Sequence, residues 1–415
     1  MMAKERKPVR PVAADEKQTP KRRGRKADSG EGGGSEVDAL MASARKRMGD
    51  HVVLDKGGSS FTCIETGIFT LDLGLLGGFQ ESRVNIVYGW AGVAKTTICA
   101  RACAAAQRKY PDGVVVYIDA EGTFDFSWAE AHGVDTDPTR FKCLQPETGE
   151  ECVDLLEAAL RAKEVVAVVL DSIPAIVPAK MIERSAEDPT MAVRASLMGV
   201  ACSKVIAALN KERGRGHNPT VLMINQWRRK VGFTMGDNRT LPGGDQLNFV
   251  ASVKAEIKKT PKGVMGEDQH GTEELVASEH AFDIAKLKGV GRTITQGEFR
   301  LVCSDSYRMS DADATMPDIV LAAGVIDDYK TVVTYGKRMG FVTGGGTSWA
   351  IDGVDAKFKN LQGIVEFLVE NPDEFVTLKR KMIALKRQEA GIDAIPKDGY
   401  LLGYVGKTTK RRTAT

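Results

Sequence analysis

The chain has 415 residues, a length that predicts two or three folding units with room for a sizeable hydrophobic core. Its composition of 42% hydrophobic and 27% charged residues, with a net charge of +3, is that of an ordinary soluble globular protein. These values exclude a disordered or fibrous class for most of the chain.

The charge is unevenly distributed along the chain. Residues 1–30 hold 10 basic and 4 acidic residues, and residues 401–415 hold 4 basic and no acidic ones. The remaining segment, 31–400, therefore carries −7, from 44 basic against 51 acidic residues. Basic ends on a mildly acidic body fit two interpretations, tails that bind a polyanion or tails that are only solvated.

Cysteine usage and the first residues indicate a cytoplasmic protein. The seven cysteines include no C-x-x-C pair, which argues against a disulfide framework and a zinc ribbon. The start, Met1–Lys7, is charged and is followed by no apolar run, and nowhere do about 18 apolar residues follow one another. We expect neither export nor a membrane span.

The first 65 residues divide into an arm and a short helix. Residues 1–36 are rich in Lys, Arg, Pro, Gly and Ser and predict a disordered basic arm. Between Val37 and Met48 the apolar residues recur at helical spacing, which predicts a short amphipathic helix.

The middle of the chain alternates short Val/Ile runs with helical stretches. Unbroken apolar strands of this kind are buried on both faces, and their alternation with helices indicates βαβ units and a mostly parallel sheet. The fold class is therefore α/β, with ligands expected at the carboxyl ends of the strands. The predicted strands are Val84–Tyr88, Val114–Asp119, Phe141–Leu144, Val165–Leu170 and Val221–Asn225.

After residue 295 the pattern changes, which places a small C-terminal domain at about 310–400, followed by a basic tail at 401–415. Gly344 to Gly346 predict a flexible turn within this domain. The predicted elements are a last strand, Gly297–Val302, and helices at Pro317–Ile326, Asn360–Asn371 and Asp373–Leu385.

The first strand of the sheet runs into a phosphate-binding loop that opens an Ala-rich helix. In such a P-loop the backbone N–H groups cradle the phosphates of ATP, Lys95 reaches the β and γ phosphates, and Thr96 holds Mg²⁺. The loop departs from the motif at Ala94, where a glycine is usual. A Cβ there either costs about 1–2 kcal/mol if the backbone needs φ > 0, or crowds the nucleotide. The loop residues are Gly89, Trp90, Ala91, Gly92, Val93, Ala94, Lys95, Thr96 and Thr97.

Two further strands end in acids. Glu121 follows the strand that ends at Asp119, where a base could orient water near the γ-phosphate. Asp171 and Ser172 end a Walker B strand, and Asp171 is the second predicted Mg²⁺ residue. Each acid alone could be a strand-end cap, but their order behind a P-loop favours the functional interpretation.

These residues, in this order, resemble the bacterial and phage RecA family of recombinases across nearly all of 37–390. The resemblance implies a RecA-type P-loop NTPase core at 66–309, an N-terminal oligomerisation element at 37–65 and a small α+β C-terminal domain. The matching stretches are Ile64–Gly67 with Leu71 and Asp72, Ile118–Glu121 with Asp125, Gln145–Glu150, Ile224–Gln226 with Arg228, Lys230 and Gly232, Gly243 and Gly244, Phe249 with Ala251–Val253, Ala323–Ile326, Gly346–Trp349 and Phe367–Pro372.

The resemblance implies a DNA-dependent ATPase that forms helical filaments on single-stranded DNA, pairs it with homologous double-stranded DNA and exchanges strands. It assigns Glu121 to water activation and Gln226 to sensing the γ-phosphate and coupling it to DNA. It places Asp125 and Trp128 beside the adenine. Lys286 and Lys288 match lysines that reach the neighbouring subunit's phosphate.

The resemblance also implies two loops that bind single-stranded DNA, at about Ile182–Met191 and Trp227–Thr240. In the second loop three cations stand beside an aromatic residue and glycines keep the segment mobile, a sequence-tolerant way to hold a single strand. The expected DNA-binding residues are Met191, Trp227, Arg228, Arg229, Lys230, Gly243 and Gly244.

Three departures from the family pattern leave alternatives open. Besides Ala94, Asn248 stands where a lysine is common beside Phe249, and the C-terminal tail is basic where bacterial members end acidic. We expect weaker self-restraint on duplex binding from this tail. A ring-forming RecA-fold motor, such as a replicative helicase or a circadian-type ATPase, and a filament-forming scaffold that does not hydrolyse ATP remain alternatives.

Overall fold

A computed structural model describes residues 36–49, 61–182, 191–230, 238–268, 270–289 and 293–392. The predicted arm at 1–36 except Glu36, most of the first loop and the basic tail lie outside these residues. The helices are α1 Glu36–Met48, α2 Phe69–Gly74, α3 Lys95–Lys109, α4 Phe126–Ala131, α5 Gly149–Arg161, α6 Ala179–Ile182, α7 Met191–Arg213, α8 Gly244–Val250, α9 Met309–Ala312, α10 Tyr329–Arg338, α11 Leu361–Glu370 and α12 Pro372–Glu389.

Most strands belong to one eight-stranded sheet of order β12-β11-β10-β3-β7-β6-β4-β5. Five of its neighbouring pairs are parallel, and the two pairs among β10, β11 and β12 are antiparallel. The strands are β1 Cys63–Ile64, β2 Phe79–Gln80, β3 Val84–Gly89, β4 Val114–Asp119, β5 Phe141–Leu144, β6 Val165–Asp171, β7 Thr220–Gln226, β8 Arg228–Arg229, β9 Arg239–Thr240, β10 Val253–Glu267, β11 Glu273–Leu287, β12 Gln296–Val302, β13 Val342–Gly345 and β14 Ser348–Ile351.

The prediction of a mostly parallel α/β sheet is confirmed. The five apolar runs form β3 to β7 within one or two residues of the predicted bounds. Four of the runs are almost wholly buried in the sheet, whereas β5 lies at its edge and buries only Phe141. One apolar cluster packs α3 on one face of the sheet. A second cluster packs α5, α7 and α8 on the other face. Active groups at the strand ends therefore stand on a sheet that is buried on both sides.

The helix predicted at Pro317–Ile326 is wrong. This stretch is extended backbone with isolated antiparallel bridges, Arg308 with Val320 and Leu301 with Ile326. Leu321 N donates to Tyr307 O and Gly324 N donates to Val302 O, bonds to neighbouring segments in place of the i to i−4 bonds of a helix. Gly324 adopts a positive φ of 85°, which no helix allows.

The C-terminal region packs around a third apolar cluster, which also includes the outer parts of β10, β11 and β12. The predicted helices at 360–371 and 373–385 correspond to α11, capped by the Asn360 side chain, and to α12, which begins at Pro372. The three glycines at 344–346 lie in the β13–β14 hairpin.

One described helix, α7, is long and apolar enough to cross a membrane by length and composition, over Val193–Arg213. Its apolar residues, including Met198, Val205 and Leu209, instead pack inside the cluster that covers the sheet. We therefore describe α7 as a helix that packs one side against the central sheet.

Candidate nucleotide and DNA site

The P-loop joins β3 to α3, and its backbone has positive φ values at Gly92 and Ala94. Gly89 lies so close to β10 that a Cβ would stand 2.1 Å from the Ile257 carbonyl oxygen, so only glycine fits this position. Ala94 caps α3 with φ of 67° and ψ of 26°, the left-handed region. Of the two interpretations of Ala94, the structure supports the backbone one, with a cost of about 1–2 kcal/mol.

Lys95 and Thr96 stand on the first turn of α3, where Lys95 turns back to the P-loop and Thr96 reaches the Walker B strand. The buried Lys95 Nζ donates a 2.7 Å hydrogen bond to the Trp90 carbonyl oxygen. Burial lowers the pKa of Lys95, and the carboxylates of Asp171 and Glu121 act in the opposite direction. Thr96 Oγ1 donates to Asp171 Oδ2 over 3.0 Å, which brings together the two residues predicted to hold Mg²⁺.

Asp171 is further fixed by a residue that the sequence analysis missed. The Tyr117 hydroxyl donates a 2.6 Å hydrogen bond to the same Oδ2. Burial raises the pKa of Asp171, while the bonds from Tyr117 and Thr96 lower it. The only signal in the sequence is that Tyr117 lies on β4, two residues before the acid Asp119. The oxygens of Thr96 and Asp171 are ligands that suit Mg²⁺, which commonly takes phosphate oxygens and water as its other ligands.

Glu121 stands on a tight turn after β4. The neighbouring Asp119 holds this turn by accepting hydrogen bonds from the N–H groups of Gly122, at 2.9 Å, and Phe124, at 3.0 Å. The side chain of Glu121 accepts from the Ser172 hydroxyl and from the Gln226 amide, the latter at 2.9 Å. The strand ends of β4, β6 and β7 thus bring Glu121 together with Ser172 and Gln226, which lie 51 and 105 positions away in the chain.

The predicted adenine residues lie on and before α4. Asp125 caps this helix by accepting a 3.0 Å hydrogen bond from the Trp128 backbone N–H. The indole of Trp128 donates to Thr97 Oγ1 over 3.3 Å and is 38% exposed. Trp128 therefore lies against the P-loop helix with part of its ring open to solvent.

The described part of the second loop forms a short antiparallel ribbon of β8 and β9 directly after Gln226. Arg228 Nη1 donates a 3.0 Å hydrogen bond to Gln226 Oε1, and Arg228, Arg229 and Lys230 are exposed. Residues 231–237 lie outside the described residues. The ribbon connects the basic loop to the residue that bonds Glu121.

Gly243 and Gly244 have positive φ values of 99° and 71° where α8 begins. A Cβ on Gly243 would lie 2.1 Å from a methyl group of Leu247, so this glycine has a packing reason as well. Met191 is the first residue of α7, and its side chain lies outside the described part of the chain.

Lys286 and Lys288 lie at the end of β11 and converge on the C-terminal end of α8. Lys286 Nζ donates to the Asn248 carbonyl oxygen, and Lys288 Nζ donates to that of Phe249 over 2.6 Å. Lys254 Nζ donates to the Asn248 side chain over 2.5 Å. Phe249 is 70% exposed beside these three cations. The reach of the two lysines to a neighbouring subunit stays a prediction.

Comparison with known proteins identifies a family model and relatives that match this chain. The model of the RecA N-terminal domain matches residues 35–298. Protein RecA of Bdellovibrio bacteriovorus is 31% identical over 84% of this chain and 84% of its own length. Protein RecA of Clostridium acetobutylicum is 33% identical over 62% of this chain and 75% of its own, and that of Fusobacterium nucleatum is 33% identical over 63% and 71%.

Proposed function

The chain belongs to the RecA family, and we propose that it is a recombinase that assembles as a helical filament on single-stranded DNA, pairs it with homologous duplex and exchanges strands. Members of this family are DNA-dependent ATPases of recombination and repair, and this chain is one of them.

We propose ATP as the nucleotide and Mg²⁺ as the metal. The N–H groups of the P-loop and Lys95 would bind the phosphates, and Thr96 and Asp171 would hold the metal, directly or through water. Mg²⁺ supplies charge neutralisation for the phosphates when it is bound. Asp125 and Trp128 would flank the base, and Ser172 would keep Glu121 oriented toward the water that attacks.

The observation that carries the proposal is the hydrogen bond from Gln226 to Glu121. Gln226 is the last residue of β7 and Arg228 begins the basic ribbon. Two hydrogen bonds, from Arg228 to Gln226 and from Gln226 to Glu121, therefore connect the segment that would bind DNA to the group that would activate water. A displacement of the ribbon by DNA would reposition Gln226 and with it Glu121. This chain of contacts is a physical route by which DNA could control hydrolysis.

We propose self-assembly through α1 and the region around Phe249. α1 has no buried residue, and its apolar residues Val37, Leu40 and Met41 are exposed on one side. A heterologous contact that does not close produces a helical filament. Lys286 and Lys288 would then reach the neighbouring subunit's phosphate and make hydrolysis depend on assembly.

We propose the division of the chain into an arm at 1–36, an oligomerisation element at 37–65, an ATPase core at 66–309, a C-terminal domain at 310–400 and a tail at 401–415. Most residues of the apolar cluster in the C-terminal region follow residue 309, which supports the third boundary. We also propose a cytoplasmic location, with duplex DNA binding aided by the basic tail. Deletion of 401–415 should weaken duplex binding.

The experiment that tests the proposed function is ATP hydrolysis with and without single-stranded DNA, with Lys95→Ala as the site control. Stimulation by DNA that is lost in Lys95→Ala supports the proposal. Tight ATP binding with no turnover in either condition would favour the scaffold. Closed rings in electron micrographs, in place of filaments on DNA, would favour the ring-forming motor.

A further inference from the structure

Trp227, which the sequence analysis assigned to DNA, is held by three side chains of its own chain. Its indole Nε1 donates a 2.9 Å hydrogen bond to Glu256 Oε1. The Arg239 guanidinium lies 4.8 Å from the centre of its ring, and the Tyr88 ring meets it edge-on at 5.4 Å. We call these four residues, Tyr88, Trp227, Arg239 and Glu256, the Trp227 cluster.

The cluster depends on the parallel register of three strands. Glu256 on β10 is paired with Tyr88 on β3, and the next pair on β3 and β7 is Gly89 with Gln226. The Trp227 backbone N–H donates to the Gly89 carbonyl oxygen over 3.1 Å, so the indole follows directly from the end of β7. The sheet thus brings an acid, a phenol ring and an indole side by side at its carboxyl edge.

Arg239 closes the cluster from the opposite arm of the second loop. It pairs with Arg229 across the β8–β9 ribbon, and its Nη1 lies 3.7 Å from Glu256 Oε1. The same acid also binds Lys258 at 3.2 Å. Both arms of the ribbon are therefore attached to β10 through the Glu256 carboxylate. The first arm is attached by the indole N–H of Trp227 and the second by the guanidinium of Arg239.

We propose that Trp227 is a positioning residue that attaches the base of the second loop to β10 and so holds Gln226 against Glu121, and that it is not a surface on which bases stack. A stacking platform needs an open ring face. Here Trp227 is half-buried, with its N–H bonded to an acid, a cation near its ring and a second aromatic ring against it. Buried aromatic residues with a satisfied N–H fix structure in this way.

The role in turnover rests on the proposed function, because it concerns how DNA in the second loop reaches Glu121. Gln226 is adjacent to Trp227 in the chain, so loss of the Nε1 bond frees the strand end that positions the Gln226 amide. DNA phosphates would still meet Arg228, Arg229 and Lys230, whose exposed side chains the cluster does not cover. Loss of the Nε1 bond should therefore leave DNA binding intact while it lowers the stimulation of ATP hydrolysis by DNA.

The test compares Trp227→Phe, which keeps an aromatic ring and loses the N–H, with Glu256→Ala, which removes the acceptor. We expect both to lower the DNA-stimulated kcat at least about 5-fold, consistent with the loss of a hydrogen bond to a charged group. The DNA concentration for half-maximal stimulation and the DNA-free turnover should stay within about 2-fold of wild type, and the double variant should be no worse than the poorer single variant.

Glu256→Gln distinguishes the two attachments, since its amide oxygen still accepts from the indole while its charge for Arg239 is lost. Glu256→Gln should therefore have a DNA-stimulated kcat between those of Glu256→Ala and wild type. Trp349→Phe is the matched control, because Trp349 lies on β14 in the C-terminal region and its indole donates to the Gly346 carbonyl oxygen of the same hairpin. It should leave turnover and DNA binding unchanged. Thermal unfolding of each variant separates a loss of fold from a loss of coupling.

The stacking role makes opposite predictions. Trp227→Ala would weaken DNA binding about 5- to 150-fold and Trp227→Phe would largely restore it, because every aromatic ring can stack on a base. Glu256→Ala would be neutral or would strengthen DNA binding. That pattern, or a kcat within about 2-fold of wild type in both Trp227→Phe and Glu256→Ala, would overturn the inference.

A measurement without ATP keeps the inference separate from the proposed function. Trypsin should cleave after Arg239 faster in Trp227→Phe and Glu256→Ala than in wild type and Trp349→Phe, because each variant removes an attachment of the ribbon to β10. If both variants are cleaved faster but the wild type has no DNA-stimulated turnover, the Trp227 cluster is supported and the proposed function is contradicted. Unchanged cleavage in all variants would reject the cluster itself.

Discussion

The side-chain amide of Gln226 donates a 2.9 Å hydrogen bond to Oε1 of Glu121. Gln226 ends β7 and Glu121 follows the end of β4, with β6 between these two strands in the sheet. The same Gln226 accepts from Arg228 through its Oε1. An amide that donates to one side and accepts from the other cannot move without changing both contacts. The pair therefore joins the hydrolytic site to the basic ribbon.

Replacement of Glu121 by Gln should abolish turnover while leaving nucleotide binding intact. The amide cannot accept the proton of the attacking water, and general-base catalysis contributes about 10²- to 10⁴-fold to rate. Steady-state hydrolysis in the presence of single-stranded DNA measures the loss, and a fluorescent nucleotide measures binding. Glu164→Gln, at an exposed acid before β6, should hydrolyse ATP normally. Turnover within about 10-fold of wild type in Glu121→Gln would remove Glu121 from the role of base.

Replacement of Ala94 by Gly should stabilise the protein slightly. The left-handed backbone at Ala94 costs about 1–2 kcal/mol for an alanine, and the extra freedom of glycine in the unfolded chain offsets about 0.4–1 kcal/mol. We expect the free energy of unfolding to rise by up to about 1.6 kcal/mol in denaturant titrations. Ala91→Gly, at a P-loop position without positive φ, should not stabilise. Destabilisation by Ala94→Gly would contradict the argument from strain.

The sequence predicts the parts of this fold whose signal is local. The Val/Ile runs are strands because they are apolar throughout, and the P-loop is recognisable because strand, glycines and helix follow one another. The long β10–β11 hairpin was missed because its two 15-residue strands carry many polar residues and have little of the apolar pattern. The wrong helix at Pro317–Ile326 has the opposite cause. Its apolar residues have a helical spacing, but β-bridges to Leu301 and Arg308 hold the stretch extended.

Residues that act together from distant positions could not be predicted from local pattern. The bond of Tyr117 to Asp171 spans 54 positions, and that of Trp227 to Glu256 spans 29. Neither has a motif, since each depends on the register of strands that the sequence does not specify. The site residues themselves, Lys95, Thr96, Glu121, Asp171 and Gln226, are brought together at the sheet edge where strand order predicts ligands.

The stability of the protein should depend on pH through Asp72. This carboxyl group is buried, and burial raises its pKa to about 6, although the Thr66 N–H donates to it over 2.8 Å. Its pKa in the unfolded chain is about 3.9, so the folded state binds the proton more tightly. The resulting stabilisation is fully present below about pH 4 and is lost as the pH rises through 6, by about 3 kcal/mol in total.

Urea titrations of wild type and Asp72→Asn at several pH values measure this effect. The wild-type free energy of unfolding, taken relative to Asp72→Asn, should fall between pH 4 and 6 and stay level above that range. Asp112→Asn, at an exposed position after α3, should show no such difference. A difference that is flat from pH 4 to 7 would mean that Asp72 is ionised throughout.

Replacement of Arg228 by Ala should weaken binding of single-stranded DNA and lower its salt dependence. Each phosphate contact on a single strand contributes about 0.7 to the slope of log K against log salt. Arg228→Ala should also reduce DNA-stimulated turnover, because the 3.0 Å bond to Gln226 is lost. Fluorescence anisotropy at several salt concentrations measures the slope. Lys163→Ala, at an exposed cation before β6, is the control, and equal slopes in the two variants would exclude a phosphate contact by Arg228.

Replacement of Leu40 by Asp should prevent assembly without unfolding the protein. Leu40 is 67% exposed on α1, so a charge costs little in the isolated chain, whereas an apolar contact with a neighbouring subunit would be lost. Sedimentation with ATP and single-stranded DNA measures assembly. Ala42→Asp adds the same charge on the opposite side of α1 and should still assemble. If Lys286 and Lys288 act across the interface, Leu40→Asp should lose DNA-stimulated turnover together with assembly, whereas full turnover in an unassembled variant would mean that one chain contains the whole hydrolytic site.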